Sequence, residues 1–228
     1  MTSKIQFIDW GLIEYKDAWD KQKQFFDELV ELKSDFNNPP LKSIINQRFI
    51  ICEHPHVYTL GRNGQSNNML VNDEFMKKIN ASYFHIDRGG DITYHGPGQI
   101  VGYPILDLEL LHLSLKDYIH CIEEMIIRTL KEYRIEASRM NGATGVWLDV
   151  NKPNPRKICA IGVRASRYVT MHGFAFNINT DLSYFSYINP CGFIDKGVTS
   201  LSKELQKPID ADVIKQKLYT HFCSLVCK

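Results

Sequence analysis

Three strand-like runs crowd the second half of this chain: Gly145 to Val150, Lys157 to Arg164, and Tyr168 to Ile178. Only Ala165–Arg167 separates the last two. That break is far too short for the crossover parallel neighbours require, so the pair is predicted to form an antiparallel hairpin. Gln47–Cys52, Tyr83–Ile86 and Ile100–Leu106 read as further strands. Helices are predicted over Tyr15–Lys33 and Asn72–Ile79, and from about Asp210 to Leu225. Another follows a Ser114 cap, with an apolar face of Leu115, Tyr118, Ile119, Ile122, Met125, Ile126, Leu130 and Tyr133. The SDFNNPP run from Ser34 stops the first helix. Strands outnumber helices and several are joined by short turns. This predicts an α+β fold, a largely antiparallel or mixed sheet flanked by helices, rather than a doubly wound parallel one. The 228 residues suit one well-cored domain spanning positions 1–228.

A formal charge of +1, with 44% hydrophobic and 23% charged residues, describes an ordinary soluble globular chain and makes no global case for nucleic acid or membrane. MTSKIQFIDWG lacks the apolar core of a secretory signal, which predicts a cytoplasmic protein. The cysteines at 52, 121, 159, 191, 223 and 227 are accordingly expected as thiols rather than disulfides.

The stretch from Arg88 to Ile105, RGGDITYHGPGQIVGYPI, carries five glycines around a histidine and an arginine. A plain turn accounts for one or two of them; so many imply a backbone shaped around a ligand. Lys157 opens the strand KICAIGVR, followed by five small or apolar residues, where a lysine is either functional or an edge residue reaching solvent. Cys191, between Pro190 and Gly192, is either an exposed reactive thiol or a partly buried loop thiol. Residues alone leave both pairs of readings open.

The string R-G-G-x-x-T-Y-H-G-P-G-Q resembles the signature of the octanoyltransferases, the lipoyl(octanoyl) transferases that begin protein lipoylation. That family also carries a lysine in K-I-x-A-I-G-V-R and a cysteine in P-C-G before T-S-L. This sequence matches at Lys157, Ile158, Ala160 to Arg164, Pro190 to Gly192 and Thr199 to Leu201, so the resemblance spans at least Glu53 to Leu201. It implies the fold of the biotin and lipoate protein ligases. It implies Cys191 as nucleophile and Lys157 as its base, and a substrate site of Arg88, Gly89, Gly90, Asp91, Ile92, Thr93, Tyr94, His95 and Gly96, with Ala160, Ile161 and Gly162, and with His172, Gly173, Phe174 and Ala175. The implied donor is octanoyl-acyl-carrier protein. The implied acceptors are lipoyl domains of 2-oxoacid dehydrogenases and the glycine cleavage H protein. No cofactor and no metal is implied.

The chemistry needs such a pair. A free thiol titrates near ~8.5 and a free lysine near ~10.4. Desolvation lowers the lysine and an adjacent ammonium lowers the thiol, so the two can trade one proton. The thiolate attacks a thioester, and the neutral lysine then takes the proton of the incoming amine. A thioester is already activated, so no nucleotide is required. Lipoate-protein ligases, by contrast, activate a free acid with ATP and carry a third consecutive glycine where Asp91 stands here. GFIDKGVT from Gly192 lacks the phosphate-binding lysine of a P-loop, and GPGQIVG has the wrong spacing for a dinucleotide loop. The competing functions are an amidotransferase moving octanoyl between lipoyl domains and a non-catalytic lipoyl-domain-binding relative.

Further expectations concern the pocket. Backbone N–H groups at His95 to Gln99 or at Gly192 are candidates for an oxyanion hole. Ala160 and Gly162 on one strand and Gly173 and Ala175 on the next would, in the right register, leave an acyl groove that a larger side chain at Gly162 shortens. His172 is either a lining residue or a satisfied core histidine. Lys152, Arg156, Lys157, Arg164 and Arg167, with no acid between 151 and 170, read as a carrier-docking patch or a solvated turn face. Cys159, two residues from Lys157 and so on its face, is the rival nucleophile. Cys52, His54 and His56 lack a fourth ligand for zinc; His54 is expected to shape the substrate site.

Overall fold

The computed structural model describes residues 5–33, 46–189 and 196–227. Its larger sheet runs in the order β1 (Ile5–Leu12), β2 (Gln47–Glu53), β6 (Gln99–Ile105), β10 (Val169–Asn177), β9 (Arg156–Ser166), β8 (Ala143–Leu148), β7 (Ser138–Met140). A smaller sheet is ordered β4 (Ser82–His85), β3 (Val57–Leu60), β5 (Ile92–His95). Only β1 with β2, β3 with β4, and the two-residue β11 (Gly197–Val198) with β9 pair in parallel. The mixed, largely antiparallel α+β fold is as the sequence predicts.

Four of the helices form where the apolar spacing placed them. α1 (Tyr15–Leu32) buries Tyr15, Ala18, Gln22, Phe26 and Leu29. α2 (Asp73–Lys78) is capped by Asn72. α3 (Leu115–Glu132) starts at a Ser114–Asp117 capping box, and α5 (Ala211–Val226) at Asp210. α3 and α5 share one core with the sheet through Tyr118, Ile122, Ile126, Leu218 and Phe222. α1 covers the opposite face with Ala18, Phe26 and Leu29 against Met171, Ile50 and Ala175. The sheet is thus sandwiched between helices. The smaller sheet joins the α1 side, where Tyr15 stacks on Phe84 and His95.

Several elements depart from the sequence reading. β1, β3, the short β7 and α4 (Leu201–Leu205) have no counterpart in it, and Ile92–His95, read as part of a loop, is strand β5. Each is short or at a sheet edge, where apolar alternation is weak.

One irregularity shapes everything near Lys157. Val146 faces Cys159 while Trp147 faces Lys157, so β9 carries one extra residue, Ile158, against β8. Gly145 lies directly opposite with φ +124°, and a Cβ there would stand 2.6 Å from the Cys159 carbonyl oxygen. Its N–H donates to Glu123 Oε1 at 3.1 Å. Only glycine permits that approach. Gly145→Ala is expected to cost about 1–3 kcal/mol of stability, read by denaturant unfolding, because it adds both the strained dihedral and the collision.

Candidate active site

Because β9 slips by one residue at Ile158, alternation along it changes phase. Ile158 and Cys159, adjacent in the chain, both lie in the α3–α5 core, wholly buried. Lys157 falls instead on the opposite face with Ala160 and Gly162, and all three line a cavity of about 400 Å³. Cys159 therefore does not share the face of Lys157, contrary to simple alternation, and burial pushes its thiol far up from the usual range. It is a core residue.

The hairpin register sets Ala175 opposite Ala160 and Gly173 opposite Gly162, as the groove required. All four border the cavity. Gly162 nevertheless does not face open space. A Cβ there would meet Gly89 O at 2.8 Å and Arg88 Cδ at 3.0 Å, so a larger residue would push the Arg88–Gly90 segment off β9 rather than shorten a groove. The Gly89 N–H donates to Val163 O at 2.9 Å, fixing that segment across the strand.

Of the residues expected at the site, Arg88, Gly90, Asp91, Ile92, Thr93, His95, Ile161, His172 and Phe174 also line the cavity. Gly89, Tyr94 and Gly96 do not. Tyr94 is wholly buried between sheet and aromatic neighbours, its ring stacked on Tyr184, and Gly96 packs on its hydroxyl. Cys191 and Gly192 lie outside the described residues. The sequence reading missed Tyr15, Val101, Tyr103, Thr144, Trp147, Phe185, Lys196 and Val198, all lining residues. Trp147 and Val198 carried no local signal, since pairing with Lys157 brings them in.

Much of the polar wall is hydrogen-bonded from within. Arg88 donates to Thr59 O at 2.7 Å and Thr59 Oγ1 at 2.9 Å. His95 Nδ1–H donates to Gln99 Oε1 at 2.8 Å, and Gln99 Nε2 donates to Asn177 Oδ1 at 2.9 Å. Asn177 in turn donates to Thr199 O, and the Thr199 N–H to Lys157 O. Burial, then the neighbouring His54, pushes His95 down to about 3, so it is neutral. His54 donates Nδ1–H to Ile13 O and accepts the Tyr103 hydroxyl at 2.7 Å. It shapes the cavity through Tyr103 rather than lining it. Two of the turn amides expected as oxyanion donors are in use: Gly98 N–H donates to Glu53 Oε2, and Gln99 N–H to Gly96 O.

His172 is both of its expected things. It is buried and lines the cavity, with φ +60° and Nε2–H donated to Asp87 Oδ1 at 2.8 Å. Burial lowers its pKa, so the ring is neutral with Nδ1 an acceptor. The His172 hydrogen bond, then Arg164, hold the Asp87 carboxyl down at about 2.

The docking patch is largely consumed. Arg156 pairs with Asp149 and Glu204, Lys152 with Asp149, and Arg164 with Asp87. Lys157 Nζ sits 4.6 Å over the Trp147 ring, with Lys196 Nζ 5.5 Å from the same ring. Asp87 and Glu204, distant in sequence, and Asp149, just ahead of the run, neutralise charges that looked unopposed.

Residues 14–223 match the model of the lipoyl protein ligase A/B catalytic domain. An octanoyltransferase of Bacteroides thetaiotaomicron is 59% identical over 215 residues, 94% of this chain and 92% of that protein. One from Bacteroides fragilis is 57% identical over 210 residues, 92% of each. The chain belongs to the octanoyltransferases of this family. Among solved structures, the bipartite lipoate protein ligase of Thermoplasma acidophilum superposes with TM-score 0.68 at 14% identity, covering 98% of this chain and 84% of that one. The shared fold is that of a lipoate protein ligase, as the motifs implied, and the family makes the protein an acyltransferase.

Asp87→Ala tests the His172 anchor. Asp87 keeps 34% side-chain exposure, so the loss at pH 7 is expected at the low end for a charged hydrogen bond, about 1 kcal/mol. A carboxyl depressed from about 3.9 contributes stability above that value and loses it as pH falls toward about 2. The gap between variant and wild type in denaturant unfolding should therefore shrink between pH 5 and about pH 2.5. A gap that ignores pH would contradict the pairing.

Proposed function

We propose that this enzyme moves an octanoyl group from octanoyl-acyl-carrier protein to the lysine ε-amine of lipoyl domains, through a thioester on Cys191, in the cytoplasm, within one catalytic domain spanning the chain. The acceptors are lipoyl domains of 2-oxoacid dehydrogenases and the glycine cleavage H protein. The observation that carries this reading is the setting of Lys157. It is turned by the β9 bulge onto the cavity face and paired across the ladder with Val198, which follows the P-C-G segment in the chain. Phe185 and Lys196, the lining residues nearest that segment on either side, both border the same cavity.

The steps balance without a further reagent. Lys157 holds the proton of Cys191, whose thiolate attacks the donor thioester carbonyl. The carrier thiol leaves with a proton returned by the lysine. The acceptor amine, losing its proton to neutral Lys157, then attacks acyl-Cys191 and expels the thiolate, giving the amide. No helix among the described residues is long and apolar enough to cross a membrane.

Intact-mass analysis after incubation with octanoyl-carrier protein should show one added octanoyl group, absent in Cys191→Ala and retained in Cys159→Ala. Charging only from an octanoylated lipoyl domain would instead identify an amidotransferase. No charging from either donor would leave a binding module.

A further inference from the structure

We propose that Tyr103, held by His54, is the stop that sets acyl-chain length; this rests on the acyl-transfer reading and names a specificity determinant within it. Ladder partners define a row straight across the sheet: Ala160 faces Ala175, Ala175 faces Val101, and Val101 faces Cys52. The first three line the cavity and Cys52 does not. The row is therefore a shallow-floored channel that starts beside Lys157 and Trp147 on the β8–β9 side and runs out at β6. From Ala160 to Val101 it crosses two strand spacings, roughly 10 Å at about 4.8 Å each. That is close to the length of an extended eight-carbon chain.

What closes the row is specific. Tyr103 shares the face of Val101 two residues along β6, and lies opposite Ile50. Its hydroxyl nevertheless reaches His54, which follows the end of β2 beyond Cys52, at 2.7 Å. The ring must then lie along the β6–β2 groove and over the end of the row. His54 is itself fixed, wholly buried, with Nδ1–H on the Ile13 carbonyl at 2.7 Å. Because the Tyr103 hydroxyl is spent on His54 and the other His54 nitrogen on backbone, the face toward the chain terminus is ring carbon, suited to a methyl end. A tethered aromatic cannot swing aside as a lone leucine would. Chain length is thereby read by a wall.

The test offers an equimolar mixture of hexanoyl, octanoyl, decanoyl and dodecanoyl pantetheine thioesters and reads acyl-enzyme composition by intact mass. Tyr103→Leu should raise the decanoyl-to-octanoyl ratio about tenfold, the worth of two further buried methylenes. Tyr103→Phe keeps the ring and should leave that ratio within about twofold of wild type. Val101→Leu, extending into the row from the same side, should move the optimum toward hexanoyl and decides the matter if Tyr103→Leu fails to fold. Charged variants with the wild-type ratio would overturn the stop while leaving acyl transfer intact. A wild-type enzyme charged by none of the four would sink both.

Discussion

One extra residue in one strand governs the arrangement of the site. Were β9 regular, Lys157 would point with Cys159, Ile161 and Val163 toward the core under α3 and α5, where an ammonium has no place. The insertion of Ile158 exchanges the two faces below it. A lysine then stands over the channel, Ile158 and Cys159 fill the core, and Trp147 offers its ring face to the cation. A bulge normally interrupts ladder hydrogen bonds at a cost. Here the cost is limited by Gly145, whose backbone closes on the Cys159 carbonyl, and by β11, which takes the place beside Arg156 and Lys157 that β10 leaves after Phe176.

The glycine motif acts by close packing more than by flexibility. Gly61 and Gly162 let the Arg88–Gly90 backbone lie close against β3 and β9: a Cβ on Gly61 would stand 2.3 Å from Gly90 O, and one on Gly162 2.8 Å from Gly89 O. Arg88 ties the crossing to Thr59, and Asp87 ties it to His172 and Arg164. A segment read as a ligand-shaped loop is in large part a strap over the sheet whose underside is the cavity roof. That division explains why Gly89 and Gly96 do not touch the cavity although their neighbours do.

How far the sequence was legible follows from which contacts are local. The helices other than α4, and the hairpin with its Ala–Ala and Gly–Gly facing pairs, depend on periodicity and a short turn, and they stand where the pattern placed them. The lysine stood out because lysine is rare ahead of an apolar strand. Its phase relative to Cys159 was illegible, because a bulge is a property of two strands and Gly145 is the only trace of it in the chain. The basic run misled for the same reason: Asp87 and Glu204 reach it from elsewhere in the fold. Tyr103 and Tyr15 read as ordinary strand and helix residues, since only the folded structure reveals that both line one cavity.

The same ladder separates two demands that compete in any acyl-transfer site. Proton exchange between a thiol and an amine needs charge stabilised close to the reacting carbon, and selection of an alkyl chain needs a dry wall. Here the cations Lys157 and Lys196 gather on Trp147 at one side. At the other, burial keeps His95 and His54 neutral, at about 3 and about 4, and their ring nitrogens are committed to Gln99, Thr59, Ile13 and Tyr103. Histidines that would otherwise draw water and protons instead serve as shaped, uncharged packing. In the proposed transfer, a chain of the fitting length displaces solvent from the far side, and the dielectric it lowers would favour the neutral form of Lys157.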